Sequence, residues 1–261
     1  MFGQATKYIN KGRDSTVREL QFFKNKDNIP IVCKHMKAEH FNKELNALVD
    51  HPNDYMEKIY YILFSKTNVV IFCEKLDKTF NKAKIKSSAQ ELQFVIQIFN
   101  GIEYLHETMG LAHCDIKENN IMINNEETHV KLIDFNNCVH KTQFKSFELG
   151  VTLAKKHKDL LVDPRNWDWK VDFWALGCTI YKVKNSRDIL DDFLSQTKLT
   201  YDHLDSRAAT AVQKIQLYNF YIQKIKEFKE QDFIVYSCLR SSSCFIFKKY
   251  LEQLKTYYCL D

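Results

Sequence analysis

The segment His113–Phe135 constrains the fold and the chemistry of this chain more than any other segment. It follows a long run whose apolar residues recur at the spacing of an amphipathic helix, and it opens with a loop that carries Asp115, Lys117 and Asn120. Two short apolar runs then flank a polar turn, which predicts a β-hairpin. The second run leads into Asp134. We therefore expect helix, loop and hairpin to bring two carboxylates and an amide into one cleft.

These side chains have the chemistry of a phosphoryl-transfer site. Carboxylate and amide oxygens are ligands that Mg²⁺ accepts, and this cation is commonly shared between a protein and the phosphates of its substrate. A lysine beside a carboxylate suits a transferring phosphoryl group, because catalysis there depends mostly on positioning and charge neutralisation. Asp115, Lys117, Asn120 and Asp134 are therefore the candidate site residues.

The pattern of the chain changes about one third of the way along. Residues 29–34 and 68–74 are β-branched, apolar runs of strand length, whereas the later segments have helical spacing. This change predicts an α+β protein with two lobes. Residues 1–76 would form a β-rich N-lobe that contains one helix, and residues 77–261 would form a helical C-lobe. A chain of 261 residues with 45% hydrophobic and 27% charged residues has enough core for this, which excludes a wholly disordered protein.

The order of these motifs resembles that of the eukaryotic-type Ser/Thr protein kinase family over most of the chain. HCDIKENN at 113–120 is similar to the catalytic loop HRDLKxxN, and DFN at 134–136 is similar to the metal-binding DFG turn. DFWALGC at 172–178 resembles the DxWSxG helix, which small-molecule phosphotransferases usually lack, so that class is a distant third alternative. The resemblance implies a two-lobed protein kinase-like fold.

The resemblance also implies a role for each residue of the loop and the turn. Asp115 would accept the proton of the substrate hydroxyl, and Lys117 would steady the γ-phosphate. Asn120 and Asp134 would hold the metal. The implied cofactors are ATP and Mg²⁺, with Mn²⁺ as an alternative metal. Lys117 is typical of the Ser/Thr branch of the family.

A nucleotide site is implied between the two lobes. Lys34 ends a run similar to the family's VAIK strand and would grip the α- and β-phosphates, with Glu44 as its ion-pair partner and Glu39 as the alternative. Residues 72–76 resemble the family's hinge, where backbone groups bind adenine, and Cys73 stands at its gatekeeper position. The other implied cofactor-binding residues are Gly12, Val17, Val32, Glu74, Leu76 and Met122.

Two departures from the family pattern keep a second function open. Gly12 is the only glycine left in the segment that aligns with the phosphate-binding loop, and Asn136 replaces the glycine of DFG. Asn tolerates a positive φ better than most residues, so the turn is still expected to form. The alternative to an active kinase is a pseudokinase that binds nucleotide or acts as a scaffolding regulator. The retained Lys34, Asp115 and Asp134 favour the enzyme.

A third departure predicts how the enzyme is regulated. Cys114 replaces the arginine that in this family normally binds an activation-loop phosphate, and a thiol cannot make those charge-assisted hydrogen bonds. We therefore expect activity that does not require phosphorylation of Thr142, Ser146 or Thr152.

Residues of the predicted C-lobe indicate one further ion pair and one contact with the substrate. Arg240 matches a late arginine that pairs in this family with the acidic residue of an APE motif, so an ion pair between Asp159 and Arg240 is predicted. Asn119 stands where kinases directed to basic substrates often have a glutamate that contacts a substrate arginine. Glu118 is the alternative residue for that contact.

Charge and cysteine content limit which partners and which cellular compartment are expected. A formal charge of +5 and a pI near 8.6 suit a phosphorylated ligand but are too weak to predict direct nucleic-acid binding. Eight scattered cysteines without a CxxC pair predict reduced thiols in the cytoplasm or nucleus. No apolar run is long enough for a membrane span, so no membrane partner is expected.

The expected partner is a protein substrate. The compact, Lys/Asn/Ile-rich chain also resembles kinases of large DNA viruses, baculoviral kinases among them, which would place it in an infected host cell or a virion. That likeness makes a basic protein one option for the substrate. The oligomeric state stays open, with a homodimer as one option.

Overall fold

The first part of the chain forms a five-stranded antiparallel sheet. In the computed structural model, the residues described are 6–11, 15–24, 30–43, 45–146, 155–163, 168–205 and 210–258. The strands are β1 (Thr6–Lys11), β2 (Ser15–Lys24), β3 (Pro30–Lys37), β4 (Ile59–Phe64) and β5 (Asn68–Glu74), in the order β1-β2-β3-β5-β4. A short helix, α1 (Leu45–Asp50), follows β3. This β-rich region agrees with the predicted fold class.

Strands β3 and β5 lie inside this sheet because their sequences suit a buried strand. In β5, Val69, Ile71 and Cys73 alternate onto the buried face, as the two-residue period of a strand requires. The register places Lys34 opposite Ile71 in the middle of the β3–β5 ladder. A lysine at that position is held rigidly by pairing on both of its sides.

The second part of the chain is helical. It contains α2 (Ser88–Glu103), α3 (Lys158–Val162), α4 (Lys170–Asn185), α5 (Ile189–Gln196), α6 (Tyr201–Asp205), α7 (Ala211–Gln231), α8 (Phe233–Arg240) and α9 (Cys244–Tyr258). The Ser87 side chain caps α2 by accepting a hydrogen bond from the backbone N–H of Gln90. Leu92, Ile98 and Ile102 lie on the buried face of α2, as their spacing predicts.

Helix α4 runs through the middle of the helical region and packs closely against α8. A Cβ atom added at Gly177 would lie 2.9 Å from Leu239 Cδ2 and 3.0 Å from the Cβ of Cys238. Only glycine therefore allows the two helices to approach this closely. Among the described residues, no helix has both the length and the apolar character that crossing a membrane requires.

Two small sheets position the predicted site. One contains β6 (Lys78–Thr79), β8 (Ile121–Ile123) and β9 (Val130–Leu132), and the other pairs β7 (Leu111–Ala112) with β10 (Val139–His140). In the β8–β9 hairpin, Ile121 is opposite Leu132, and the N–H of Ile133 donates to the carbonyl of Asn120 at 3.0 Å. The predicted hairpin therefore brings Asp134 back beside the loop that precedes β8.

Candidate active site

The loop at 113–120 is anchored from below by a buried carboxylate on α4. The backbone N–H groups of His113 and Cys114 donate to Asp172 Oδ2 and Oδ1 at 2.7 and 2.8 Å, and His106 Nε2 lies 2.8 Å from Oδ2. Burial raises the pKa of Asp172, but the hydrogen bonds and charges of His106 and His113 together bring the net pKa below its usual value. The carboxylate therefore stays ionised and fixes the start of the loop.

The carboxylate of Asp115 is held by one of its two oxygens. Asp115 Oδ2 accepts hydrogen bonds from Lys117 Nζ at 2.8 Å, Asn120 Nδ2 at 2.8 Å and Asn137 Nδ2 at 3.2 Å. Asn120 Nδ2 also donates to the backbone carbonyl of Asp115 at 2.9 Å. Within the described part of the chain no residue hydrogen-bonds Oδ1, so that oxygen is the one open to a substrate hydroxyl.

Asp134 lies in a left-handed turn directly after the β8–β9 hairpin, with φ of 62°. Its Oδ1 lies 2.5 Å from Lys34 Nζ and 3.0 Å from Asn136 Nδ2. Burial raises the pKa of Asp134, but the charge and hydrogen bond of Lys34, together with the charges of His113 and Lys117, bring the net pKa below its usual value. The ring of the next residue, Phe135, is buried and packs 5.3 Å from that of His113.

The donor set fits a magnesium ion. The amide nitrogen of Asn120 faces Asp115, which leaves the amide oxygen for a cation, and the hydrogen bonds that Asp134 accepts from described residues go to Oδ1, which leaves Oδ2. Both are hard oxygen donors. Asn120 and Asp134 would hold the ion, and nucleotide phosphates and water would complete its coordination.

Lys34 does not form the ion pair that was predicted with Glu39 as the alternative partner. Glu44 lies outside the described residues. Glu39 is exposed and lies 3.2 Å from Lys37 Nζ, so the structure contradicts Glu39 as the alternative partner. Lys34 is paired with Asp134 instead. Glu39 lies in the short 3-10 turn at 38–40, whose residues are exposed, and this accounts for its side chain facing solvent.

Sequence reasoning missed a second acid near Lys34. Burial raises the pKa of Glu57 to about 6, against the opposing charge of Lys34 and a hydrogen bond with the thiol of Cys73. The Glu57 N–H donates to the carbonyl of Leu132 at 2.8 Å, which holds the residue beside the strand that leads to Asp134. A lone acid just before an apolar strand was the only signal in the sequence.

The structure places the residues predicted to line the nucleotide site in two groups, one in the large sheet and one beside the β8–β9 hairpin. Val17 is opposite Lys34 in the β2–β3 ladder, and Val32 is opposite Cys73 in the β3–β5 ladder. Leu76 and Met122 line one small cavity together, beside the end of β5. Gly12 lies outside the described residues.

The side chain of Glu74 is bound by other residues of the protein. Its carboxylate accepts hydrogen bonds from Lys131 Nζ at 2.6 Å and from the backbone N–H of Lys58 at 2.8 Å. The side chain is buried and points toward β9. Any contact of Glu74 with an adenine ring would therefore use the backbone.

The structure contradicts the predicted ion pair between Asp159 and Arg240. Asp159 Oδ1 lies 2.7 Å from Lys158 Nζ, and its Oδ2 lies 3.1 Å from Lys170 Nζ. Arg240 is exposed at the end of α8, where it hydrogen-bonds Tyr250. Two lysines close to Asp159 supply the positive charge that the prediction assigned to Arg240.

The side chain of Glu118 lies inside the protein, next to two lysines. It is buried, its Oε1 lies 2.7 Å from Lys182 Nζ, and its Oε2 lies 3.6 Å from Lys155 Nζ. Burial raises the pKa of Glu118, but the lysine charges outweigh it and keep the net pKa low. The prediction that Glu118 contacts a substrate arginine is therefore not supported, because its charge is already neutralised.

A comparison with protein-family models agrees with this geometry. The model of the protein kinase domain matches residues 4–244. The chain therefore belongs to the protein kinase family, whose members are phosphotransferases that generally use ATP and Mg²⁺ and act on proteins. The match gives no support to the pseudokinase alternative.

Proposed function

We propose that this chain is an active protein kinase that transfers the γ-phosphate of MgATP to a serine or threonine hydroxyl of a protein substrate. The observation that carries the proposal is the Asp115 carboxylate, which is held at Oδ2 by Lys117, Asn120 and Asn137. A general base needs such a fixed orientation, because proton transfer depends on geometry before it depends on proton affinity.

The polar side chains that the structure brings together here have distinct places in this reaction. Asp115 Oδ1 accepts the proton of the substrate hydroxyl. Lys117, 2.8 Å from Asp115, and Lys34, beside Asp134, stabilise negative charge on the phosphates. Asn120 and Asp134 hold the cation that accompanies ATP. When bound, MgATP supplies the phosphoryl group and a metal charge that neutralises its oxygens.

Preference for serine and threonine follows from the resemblance at Lys117, which is typical of that branch. Independence from loop phosphorylation is supported by Cys114. Its side chain is buried, and burial together with the charge of Asp172 raises the pKa of the thiol well above its usual value. The thiol therefore stays neutral and cannot bind a phosphate as an arginine would.

The proposed lobes are residues 1–76 and 77–261. The large sheet ends at Glu74, and the first long helix begins at Ser88, which supports a boundary between them. A basic protein stays one option for the substrate, although the engagement of Glu118 by two lysines removes one expected acidic contact for it.

The test is transfer of label from γ-labelled ATP to a basic and an acidic test protein, with phosphoamino-acid identification of the product. We expect phosphoserine or phosphothreonine with the wild type and a loss of at least about a hundredfold in Asp115→Asn. Asp54→Asn is the matched control, because it makes the same chemical change at an exposed residue that is not one of the proposed site residues.

Two outcomes would reject this function. Equal labelling by the wild type and Asp115→Asn would mean that the activity comes from a contaminant. An ATP-induced rise in melting temperature without any transfer by the wild type would instead identify a pseudokinase.

A further inference from the structure

The turn after Asp134 is clamped by an asparagine from the other side of the cleft. Asn42 lies between β3 and α1, and its Nδ2 donates to the carbonyls of Asn136 at 3.1 Å and Cys138 at 2.7 Å. A primary amide has two N–H donors, so one nitrogen can make both bonds. The carbonyls belong to the residues on either side of Asn137, and the backbone of Asn137 is therefore held from both directions.

The side chain of Asn137 reaches the proposed general base. Its Nδ2 donates to Asp115 Oδ2 at 3.2 Å, alongside Lys117 and Asn120. A hydrogen bond to a carboxylate is stronger than one between neutral groups. Lys117 and Asn120 belong to the same loop as Asp115, so within the described residues Asn137 is the donor that ties Asp115 to the metal-binding turn.

We propose that Asn137 is a positioning residue for Asp115 and that Asn42 holds Asn137 in place. The chain of contacts from Asn42 through residues 136–138 to Asp115 aligns the base with the turn that carries Asp134. This inference rests on the proposed function, since it assumes that Asp115 is the general base.

A purely structural role for Asn137 fits the geometry less well. The residue is only half-buried and lies in the cleft, so losing its amide would leave no cavity in the core. The carboxylate of Asp115 would keep two other donors but could rotate more freely. The expected effect is therefore on the chemical step and not on folding.

The test compares three substitutions at Asn137 in the full-length enzyme by steady-state kinetics. Asn137→Leu removes the donor at similar volume and should lower kcat about tenfold, with the KM for ATP and the melting temperature unchanged. Asn137→Asp places a like charge beside Asp115 and should lower kcat further. Asn137→Gln keeps an amide donor and should retain more activity than either. Asn125→Leu, at an exposed hairpin position, is the control.

The link to Asn42 is tested by a double-mutant cycle. Asn42→Leu should also lower kcat, and Asn42→Leu combined with Asn137→Leu should cost no more than Asn137→Leu alone, because both act through one contact. Additive losses would overturn the proposed link.

Other results separate this inference from the proposed function. An active wild type with an unchanged kcat in Asn137→Leu overturns the inference alone. Equal losses in the Leu, Asp and Gln variants with lowered melting temperatures would show a structural role and also overturn it. An inactive wild type overturns the proposed function and this inference together.

Discussion

Lys34 Nζ lies 2.5 Å from Asp134 Oδ1, which joins the third strand of the large sheet to the turn that follows the β8–β9 hairpin. The two residues are 100 positions apart in the chain. Their contact fixes the distance between the proposed phosphate-binding lysine and the proposed metal ligand before nucleotide arrives. Preorganised charges of this kind need little rearrangement during the reaction.

Removing the charge of Lys34 should therefore impair catalysis strongly. We expect Lys34→Met to lower kcat/KM for ATP by about a hundredfold or more, because the variant loses a phosphate-binding charge and leaves Asp134 without its cationic partner. The measurement is steady-state kinetics over a range of ATP concentrations.

Lys37→Met provides the control for this change. Lys37 lies on the same strand, is exposed, and pairs with the exposed Glu39. Its substitution should leave kcat/KM nearly unchanged. A similar loss in both variants would show that the strand, and not the Lys34 charge, is responsible.

Glu57 predicts an unusual dependence of stability on pH. Burial raises its pKa from 4.5 to about 6 in the folded protein, so the charged form is disfavoured by folding. The stability that this group contributes is complete below pH 4.5 and is lost as the pH rises through about 6. At about 1.4 kcal/mol per pKa unit, the loss is about 2 kcal/mol.

Glu57→Gln should remove this dependence. The free energy of unfolding of the variant, relative to that of the wild type, should rise between pH 4 and pH 7 and stay constant at higher pH. Urea unfolding at a series of pH values measures it. A difference that does not change with pH would show that the pKa of Glu57 is not raised in the folded protein.

Gly177 should be intolerant of a side chain. Gly177→Ala places a Cβ atom 2.9 Å from Leu239 Cδ2, so the α4–α8 contact must open. We expect a loss of about 1–3 kcal/mol in the free energy of unfolding. Gln196→Ala, at an exposed helix end, should change it by less than about 0.5 kcal/mol. Equal unfolding midpoints for Gly177→Ala and the wild type would contradict the close packing.

The loop that follows the metal-binding turn should not need phosphorylation. Protein made in a bacterial host and treated with a phosphatase should be as active as untreated protein, because the buried neutral thiol of Cys114 cannot bind a phosphate. Thr142→Ala and Ser146→Ala should likewise keep kcat within about twofold, since neither hydroxyl is then a required phosphate acceptor. Protein that is inactive until its loop is phosphorylated would refute this prediction.

The sequence predicted the parts of the site that depend on local spacing. One loop contains Asp115, Lys117 and Asn120. Two apolar runs separated by a polar turn predicted the hairpin that brings Asp134 beside this loop. The strands predicted at 29–34 and 68–74 from β-branched residues correspond to β3 (Pro30–Lys37) and β5 (Asn68–Glu74), which both lie inside the large sheet. Protein kinase membership and the two-part fold are confirmed.

Contacts between distant segments were not predictable. Asn42 and Cys138 are 96 positions apart, and nothing in either sequence context indicates their hydrogen bond. The prediction that Asp159 pairs with Arg240 was wrong. It rested on the position of Arg240 in the family pattern, whereas in the structure Asp159 pairs with Lys158 and Lys170. Side-chain choices of this kind depend on the packed structure and not on spacing.

The proposed function requires that Asn120 and Asp134 hold one cation beside Asp115. The most direct measurement is electron paramagnetic resonance of Mn²⁺ titrated into the protein with a non-hydrolysable ATP analogue. The wild type and Asp54→Asn should bind the Mn²⁺–nucleotide complex equally, and Asp134→Asn and Asn120→Leu should each weaken Mn²⁺ binding at least about tenfold. Equal Mn²⁺ binding in all four proteins would contradict the claim.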